Sequence, residues 1–544
     1  MKRTLLIIAM LVCLVFAGNA WGAGPFYVDV DAADDTGTGA IGDPWKTWNK
    51  AMTTVAAGEI VYFQEGDTWT EAYTNPTATP TEEIERITIG SYGSGDRPVL
   101  KQPDAQNTSA FILTNKSFIT FDGIAFDANG AGQSTSSRAF STGGTSGNII
   151  WTDCEFYNAT VNSVSAHGVL IASGTTFLMD SCVFHDNISF GVITTQAGTT
   201  IQDSTFTNNG KAIGLTTAGS FTAQRNTIIG WAWGTQPDGG IVVNTPGDGI
   251  YVGYNTASGP LAEYDCYRIT ITGGAQTDVQ IVNNYVDGGL SSDYGLFVNG
   301  DGATGGIVSG NTVIGIKNSG ICLFGTDAWV VSKNKVTTTG LGVSGTHDAG
   351  INLYGDVGGY GISTGNIITN NILDGNQIGI QLWGETAATD MDANLVYNNT
   401  IINSVAQNIY LKDYGQNQVV TNNISDTPGT DHVEVEANSQ TSLTMVTNDY
   451  YPEGNDMWTW GATTDIDTLV AWRTASSEDA NSIITDPQLN AFYRSPLAAI
   501  YAGGTDLGYT EDYYGNAQSF PWIGAVGWLW MTEGGQFTGI DFNN

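Results

Sequence analysis

The chain reads NNIL at residues 370–373, NNTI at 398–401 and NNIS at 422–425, and this paired asparagine ahead of an apolar residue decides the fold. Working outward, the same pattern recurs as GIAF at 123, DCEF at 153, SCVF at 181, DSTF at 203, RNTI at 225, NNYV at 283, GNTV at 310 and KNKV at 333. The second residue of each forms one column: Ile124, Cys154, Cys182, Ser204, Asn226, Asn284, Asn311, Asn334, Asn371, Asn399 and Asn423. Neighbours in it stand 22 to 37 residues apart, except for a gap of 58 between Asn226 and Asn284 that leaves room for two coils. A period in the twenties with one polar residue at a fixed place marks a solenoid. Each repeat is then one turn of a parallel β-helix, its strands stacked about 4.8 Å above those of the turn before. A stacked asparagine bonds both the next asparagine and the turn backbone, so buried amides keep partners.

A second pattern is Gly-apolar-variable-apolar: GVLI at 168, GVIT at 191, GIYV at 249, GLFV at 295, GICL at 320, GINL at 350, GIQL at 379 and the variant NIYL at 408. Strict alternation turns Ile351, Leu353 and their equivalents inward and the residues between them outward. The stretch HDAGINLYGD at 347–356 is therefore one rung, with His347 and Asp348 in the turn that feeds it and Asp356 leaving it.

Composition agrees with this architecture. The chain has 544 residues, 70 glycines and only 13% charged residues, which favours a turn-rich β fold that can be long with a single core. The formal charge is −36, which argues against nucleic-acid or anionic-membrane partners. At the start, Lys2-Arg3, the apolar run Leu5–Ala17 and the small residues GNAWGA read as a secretory signal peptide over 1–22, too short for a membrane span. The mature protein is expected outside the cytoplasm, secreted or periplasmic, and monomeric. Cys13 leaves with the signal, while Cys154, Cys182, Cys266 and Cys322 have no metal spacing and are too sparse for a disulfide framework. Cys154 and Cys182 fall on neighbouring rungs, where stacked free thiols are favoured over a disulfide.

With these repeats the chain resembles the secreted right-handed parallel β-helix proteins of the pectate-lyase-like superfamily. The segment FYVDVDAADDTGTGAIGDPWKTWNKAMTTVAAGEIVYFQEGDTWTE from Phe26 is similar to the lead-in of that group: a strand, an acidic Gly-rich loop, a helix from about Pro44 to Ala57 that caps the open end, and a first coil strand. DTLVAWRTASSEDANSIITDPQL from Asp467 and the stretch from Phe492 to Trp528 resemble a tail that follows the coils in bacterial members. The resemblance implies an all-β right-handed parallel β-helix. It also implies carbohydrate as the usual ligand, with lyase, hydrolase or epimerase chemistry or none. Four regions follow: a signal at 1–22, a cap and first coil at 24–110, coils at 111–430, and a C-terminal coil and tail at 431–544.

Function is then expected on the outward face of the second pattern, which offers Tyr251, Phe297, Asn299, Phe324, Asn352, Tyr354, Gln381, Trp383, Tyr410 and Lys412. Flat rings beside amides suit the apolar faces and hydroxyls of a sugar chain, so Tyr251, Phe297, Asn299, Phe324, Asn352, Gln381, Trp383 and Tyr410 are candidate substrate-binding residues along an exposed linear groove. The alternative is that long turns fold back and bury the rings. Just beyond the strands stand Asp301, Asp327, Asp356, Glu385 and Lys412-Asp413, with Asp348 before one of them. Carboxylates on adjacent rungs lie roughly 5 Å apart and two rungs apart roughly 10 Å, which brackets the glycosidase geometries. Asp301, Asp348 and Asp356 are also candidate Ca²⁺ ligands, since that ion takes several oxygens without demanding geometry.

Family motifs set further limits. NTPGDGI at 244–250 and AHGV at 166–169 are similar to pieces of the superfamily's hydrolase set, but they stand in the wrong order and lack its Asp-Asp and Arg-x-Lys. The Asp-Pro-His of the mannuronan epimerases is absent. The leading reading is a polysaccharide-active enzyme, with elimination favoured over hydrolysis. A lyase would use Lys412, Tyr354 or His347 to remove the C5 proton, and a hydrolase would use two of Asp356, Glu385 and Asp413. The reading from another class is a non-catalytic glycan-binding β-helix.

Overall fold

A computed structural model describes residues 25–527 apart from 162, 217–218, 232–238, 245–247, 261–263, 272–277, 342–346, 502, 509 and 519–520. The expected signal peptide lies outside the described residues. The protein is a mostly β parallel solenoid of about 13 turns. Three long sheets run its length, one of 16 strands from Phe26–Val28 to Thr444–Val446 and one of 15 from Thr68–Thr70 to Asp449–Tyr451. The third carries the Gly-apolar pattern and runs from Ser109–Thr114 through Ala349–Gly355 and Ile378–Gly384 to Trp458–Trp460, where an antiparallel strand, Thr463–Ile466, closes it.

The asparagine column sits in the turn between the first and second sheets. Asn226, Asn255, Asn284, Asn311, Asn334, Asn371, Asn399, Asn423 and Asn448 form an unbroken ladder in which each Nδ2 donates to the next Oδ1 at 2.9–3.1 Å. The same Oδ1 also accepts the preceding ladder residue's backbone N–H, as Asn423 Oδ1 does from Asn399. Asn255 halves the 58-residue gap, so that gap does hold two coils. The residue ahead of each rung is left-handed, with φ of 54° at Asn370, 50° at Asn398 and 58° at Asn422. Asparagine tolerates that conformation better than most residues, which accounts for the doubled asparagines. Cys154 and Cys182 continue the column as buried free thiols.

Two expectations are corrected. The helix is Trp48–Thr54, seven residues long, rather than Pro44–Ala57. Asp35 takes the amides of Lys46 and Thr47, and Thr47 caps Lys50, so the helix cannot start earlier. It buries Trp48, Ala51 and Met52 in the main core, but two turns in an irregular segment do not make a helical cap. Second, Tyr251 lies on the strand Ile250–Gly253 of the first sheet, beside Thr222 and Gln280. The third-sheet strand of its coil is Tyr267–Thr270. GIYV shares its alternation with both sheets, and the rung Asn255 that follows four residues later places it in the first.

Inward residues of all three sheets form one continuous core that includes Ile351, Leu353, Ile380 and Leu382. Past the last coil the tail returns over the second sheet, where Ile500 and Ile523 pack on Ile424 and Ala525 and Val526 on Ile372. Among the described residues no helix is long and apolar enough to cross a membrane.

Candidate functional site

The register of the third sheet sorts its outward residues into two columns. One runs Arg268, Phe297, Cys322, Asn352, Gln381, Tyr410, Glu434, and the other Asn299, Phe324, Tyr354, Trp383, Lys412. All the predicted binding residues except Tyr251 therefore share one face.

That face is not the exposed groove expected of it. Phe297, Cys322, Phe324, Tyr354 and Trp383 make a second small core, none more than 8% exposed, with Tyr294 packed against it. The turns between strands fold back over the rings. From the turn at 356–361, Tyr360 sets its ring 4.9 Å from Phe324 and 5.9 Å from Tyr354. From the turn ahead of the rung, His347 sits 5.1 Å from Phe324, 5.2 Å from Tyr354 and 4.8 Å from Trp383. Burying these rings removes apolar surface that alternation alone would leave in water.

His347 is part of that cover. Its Nδ1 accepts a hydrogen bond from Asn352 Nδ2 at 3.0 Å. Burial, helped by the charge of Lys412, pushes its pKa down to about 4, so the ring is neutral near pH 7. On the same face, Asn299 Oδ1, Asn352 Oδ1 and Gln381 Oε1 are buried without a hydrogen-bond partner among the described residues.

The accessible chemistry gathers on the last rungs, where the cover ends. Lys412 Nζ lies 3.7 Å from the centre of the Trp383 ring, and Trp383 Nε1 donates to Asp413 Oδ2 at 2.9 Å. Glu436 reaches back one rung, accepting the Tyr410 hydroxyl at Oε1 and the Asp413 backbone N–H at Oε2, the latter at 3.1 Å. Burial, and then the neighbouring Glu436, raise the pKa of Asp413 above the usual carboxylate value. Burial raises Tyr410 as well, with Glu436 adding to it. Glu434 is raised chiefly by burial and accepts from Gln407. Lys412, Asp413, Tyr410, Glu434 and Glu436 are all half-buried.

Other predicted residues fall elsewhere. Asp301 and Glu385 are exposed. Asp356 closes its own turn, accepting Gly358 N at Oδ1 and bonding Gly361 through its backbone. Asp348 is buried and its carbonyl accepts from Ile378. Among the described residues no group of three or more His, Cys, Asp or Glu is gathered as a metal site, around Asp301, Asp348 and Asp356 or elsewhere. Glu434 and Glu436 were missed. Their signal is VEVE at 433–436, where Val433 and Val435 are inward and the glutamates extend the outward face by one rung.

The chain belongs to the right-handed β-helix region family, whose pattern matches residues 112–336 and 294–468. No curated protein matches it in sequence. Among solved structures it is similar to the A-module of mannuronan C-5 epimerase AlgE4 from Azotobacter vinelandii, at 13% identity and a TM-score of 0.43 over 67% of this chain and 91% of that one. It is also similar to pectate lyase Pel9A, at 14% identity and a TM-score of 0.31 over 94% and 97% of the two chains. A third is XylC in complex with xylose, at 11% identity and a TM-score of 0.39 over 93% and 98%. These likenesses are distant and carry no reaction with them.

Proposed function

We propose that this is a secreted carbohydrate-active enzyme that cleaves an extended polysaccharide at the end of the third-sheet face, around Trp383, Tyr410, Lys412, Asp413 and Glu436. The observation that carries the reading is the linked set of Tyr410, Glu436 and Asp413 beside a tryptophan, because it supplies a proton donor and an acceptor next to a ring that a sugar can stack on. Asp413, with its raised pKa, holds the proton and delivers it to the glycosidic oxygen. Glu436, hydrogen-bonded to the Tyr410 hydroxyl and the Asp413 amide, lies against the Asp413 carboxyl and keeps it protonated for that role. Of the residues expected to serve a hydrolase, Asp413 stays and Glu436 replaces Asp356 and Glu385.

This arrangement favours hydrolysis of a neutral glycan over elimination from a uronate, since Asp413, Glu434 and Glu436 would repel a polyanion. Lyase action is the second reading. It rests on Lys412, a cation beside Trp383 that would pair with a uronate carboxylate, and calcium would assist it by offsetting the surrounding acids.

The test is mass spectrometry of products released from neutral and uronate polysaccharides by the mature protein, with and without a chelator. Hydrated fragments lost in Glu436→Gln support the reading. Anhydro fragments would transfer it to Lys412, and binding without any products would make the protein a glycan-binding β-helix.

A further inference from the structure

The first sheet presents a long face that carries no charge. Over ten successive strands, from Thr199–Gln202 to Thr444–Val446, its outward residues form two columns, one running from Thr200 to Thr444 and the other from Gln202 to Val446. Not one residue of either column is acidic or basic, although the chain has a formal charge of −36. Earlier strands of the same sheet turn Asp122 and Asp180 outward, and the second sheet turns out His185, Asp287, Lys335 and Asp374.

Five consecutive rungs of this face stack an aliphatic side chain at the same register position: Ile307, Val330, Ile367, Leu395 and Val419. Ile307 is 38% exposed and the other four are partly exposed. With rungs about 4.8 Å apart, an unbroken aliphatic strip about 20 Å long meets solvent, and such a strip marks a surface that is covered in use. The C-terminal tail runs beside it, tied to the corner that leads to the second sheet through Asn398, Asn422 and Lys333. There Gly508, Thr510 and Glu511 line a cleft of about 300 Å³ with Val330, Ser332 and Thr369, so the tail walls one side of the strip.

We propose that two copies of the chain associate through this face, about a two-fold axis parallel to the axis of the solenoid. That axis lays the aliphatic column of one copy on the same column of the other and sets the two tails on opposite sides of it. A two-fold contact uses one patch twice, so the patch has to be compatible with itself. Strongly acidic molecules repel wherever their acids meet, and the uncharged face is where two of them approach at least cost. Ten rungs give a neutral area of roughly 45 Å by 10 Å. That is at the low end for a specific interface, so the dimer that replaces the expected monomer is reversible, with a dissociation constant of roughly 10–100 µM. It lies on a different sheet from the Trp383–Glu436 site and does not depend on the reaction there.

The test is sedimentation equilibrium of the full mature chain at about 1–300 µM, in about 0.05 M and about 0.5 M sodium chloride. A monomer–dimer equilibrium is expected, about threefold tighter or more at the higher salt, because screening removes acidic repulsion and leaves the apolar contact. Leu395→Glu and Ile307→Lys each set a charge opposite its own copy across the two-fold and should weaken the dimer about tenfold or more. Thr207→Glu, on the second sheet, leaves it unchanged. Should Leu395→Glu fail to fold, Ile307→Lys decides alone, since that side chain already stands in solvent. A wild type that stays monomeric at every concentration in both salts overturns the proposal, as does a dimer that survives Ile307→Lys. A monomer that instead sediments with powdered cellulose, and loses this in Ile307→Lys, gives the face to a glycan and overturns the proposal too.

Discussion

Trp383 donates its indole N–H to Asp413 Oδ2 at 2.9 Å while the ammonium of Lys412 rests on the same ring at 3.7 Å. One side chain thus positions both a candidate acid and the nearest cation. Trp383→Ala is expected to cost about 3 kcal/mol of stability, because the ring is nearly buried against Tyr354 and His347. It should also raise KM more than Trp383→Phe, which keeps the stacking surface. Urea unfolding and steady-state kinetics on the two variants check this.

Asp413→Asn and Glu436→Gln should each lower kcat by about 10²–10⁴ with little change in glycan binding. The pH profile gives the sign. Asp413 has its pKa raised by burial and Glu436, and it acts as the protonated acid. Activity is therefore present below that raised value and falls as pH rises through it. A falling limb that stays in place in Asp413→Asn would assign the acid to another group.

Two buried histidines, His167 and His432, and the half-buried His347 make the fold acid-sensitive. Burial pushes His347 and His432 down to about 4 and His167 to about 3, from an ordinary value of 6.5. The unfolded chain takes up protons that the folded one refuses, so their contribution is complete above about pH 6.5 and is lost as pH falls toward 4. His347→Gln should remove about 1 kcal/mol of that loss, a figure reduced for the partial exposure of the ring. Denaturant unfolding at pH 7 and pH 4.5 measures it. Asp449 acts in reverse, its raised pKa of about 8 contributing stability at lower pH that fades as pH rises through that value.

The ladder should be the least tolerant part of the coil. Asn311 Nδ2 bonds Ile281 O and Asn334 Oδ1, and its own Oδ1 accepts both N–H groups from Asn284. Asn311→Leu leaves several buried groups unpaired and is expected to cost about 3 kcal/mol or more. Asn438→Ala, exposed in the turn Ala437–Ser439, should cost well under 1 kcal/mol. Chemical denaturation of the two proteins compares them.

By itself the sequence determined the coil. The rung asparagines, the left-handed residue ahead of them and the inward apolar alternation are all local, and in a solenoid each turn contacts only its neighbours, so a one-dimensional pattern suffices. It also placed Phe297, Phe324, Tyr354, Trp383 and Lys412 on one face. Only the tertiary structure decided that the rings are covered, because the covering comes from turns whose path carries no periodic signal: His347 and Tyr360 touch rings from outside the rungs. It alone put Tyr251 on another sheet, since inward alternation reads the same on every face of a β-helix. And it joined Glu436 to Tyr410 and Asp413, because a contact across rungs depends on stacking register, which the lengths of the intervening turns hide.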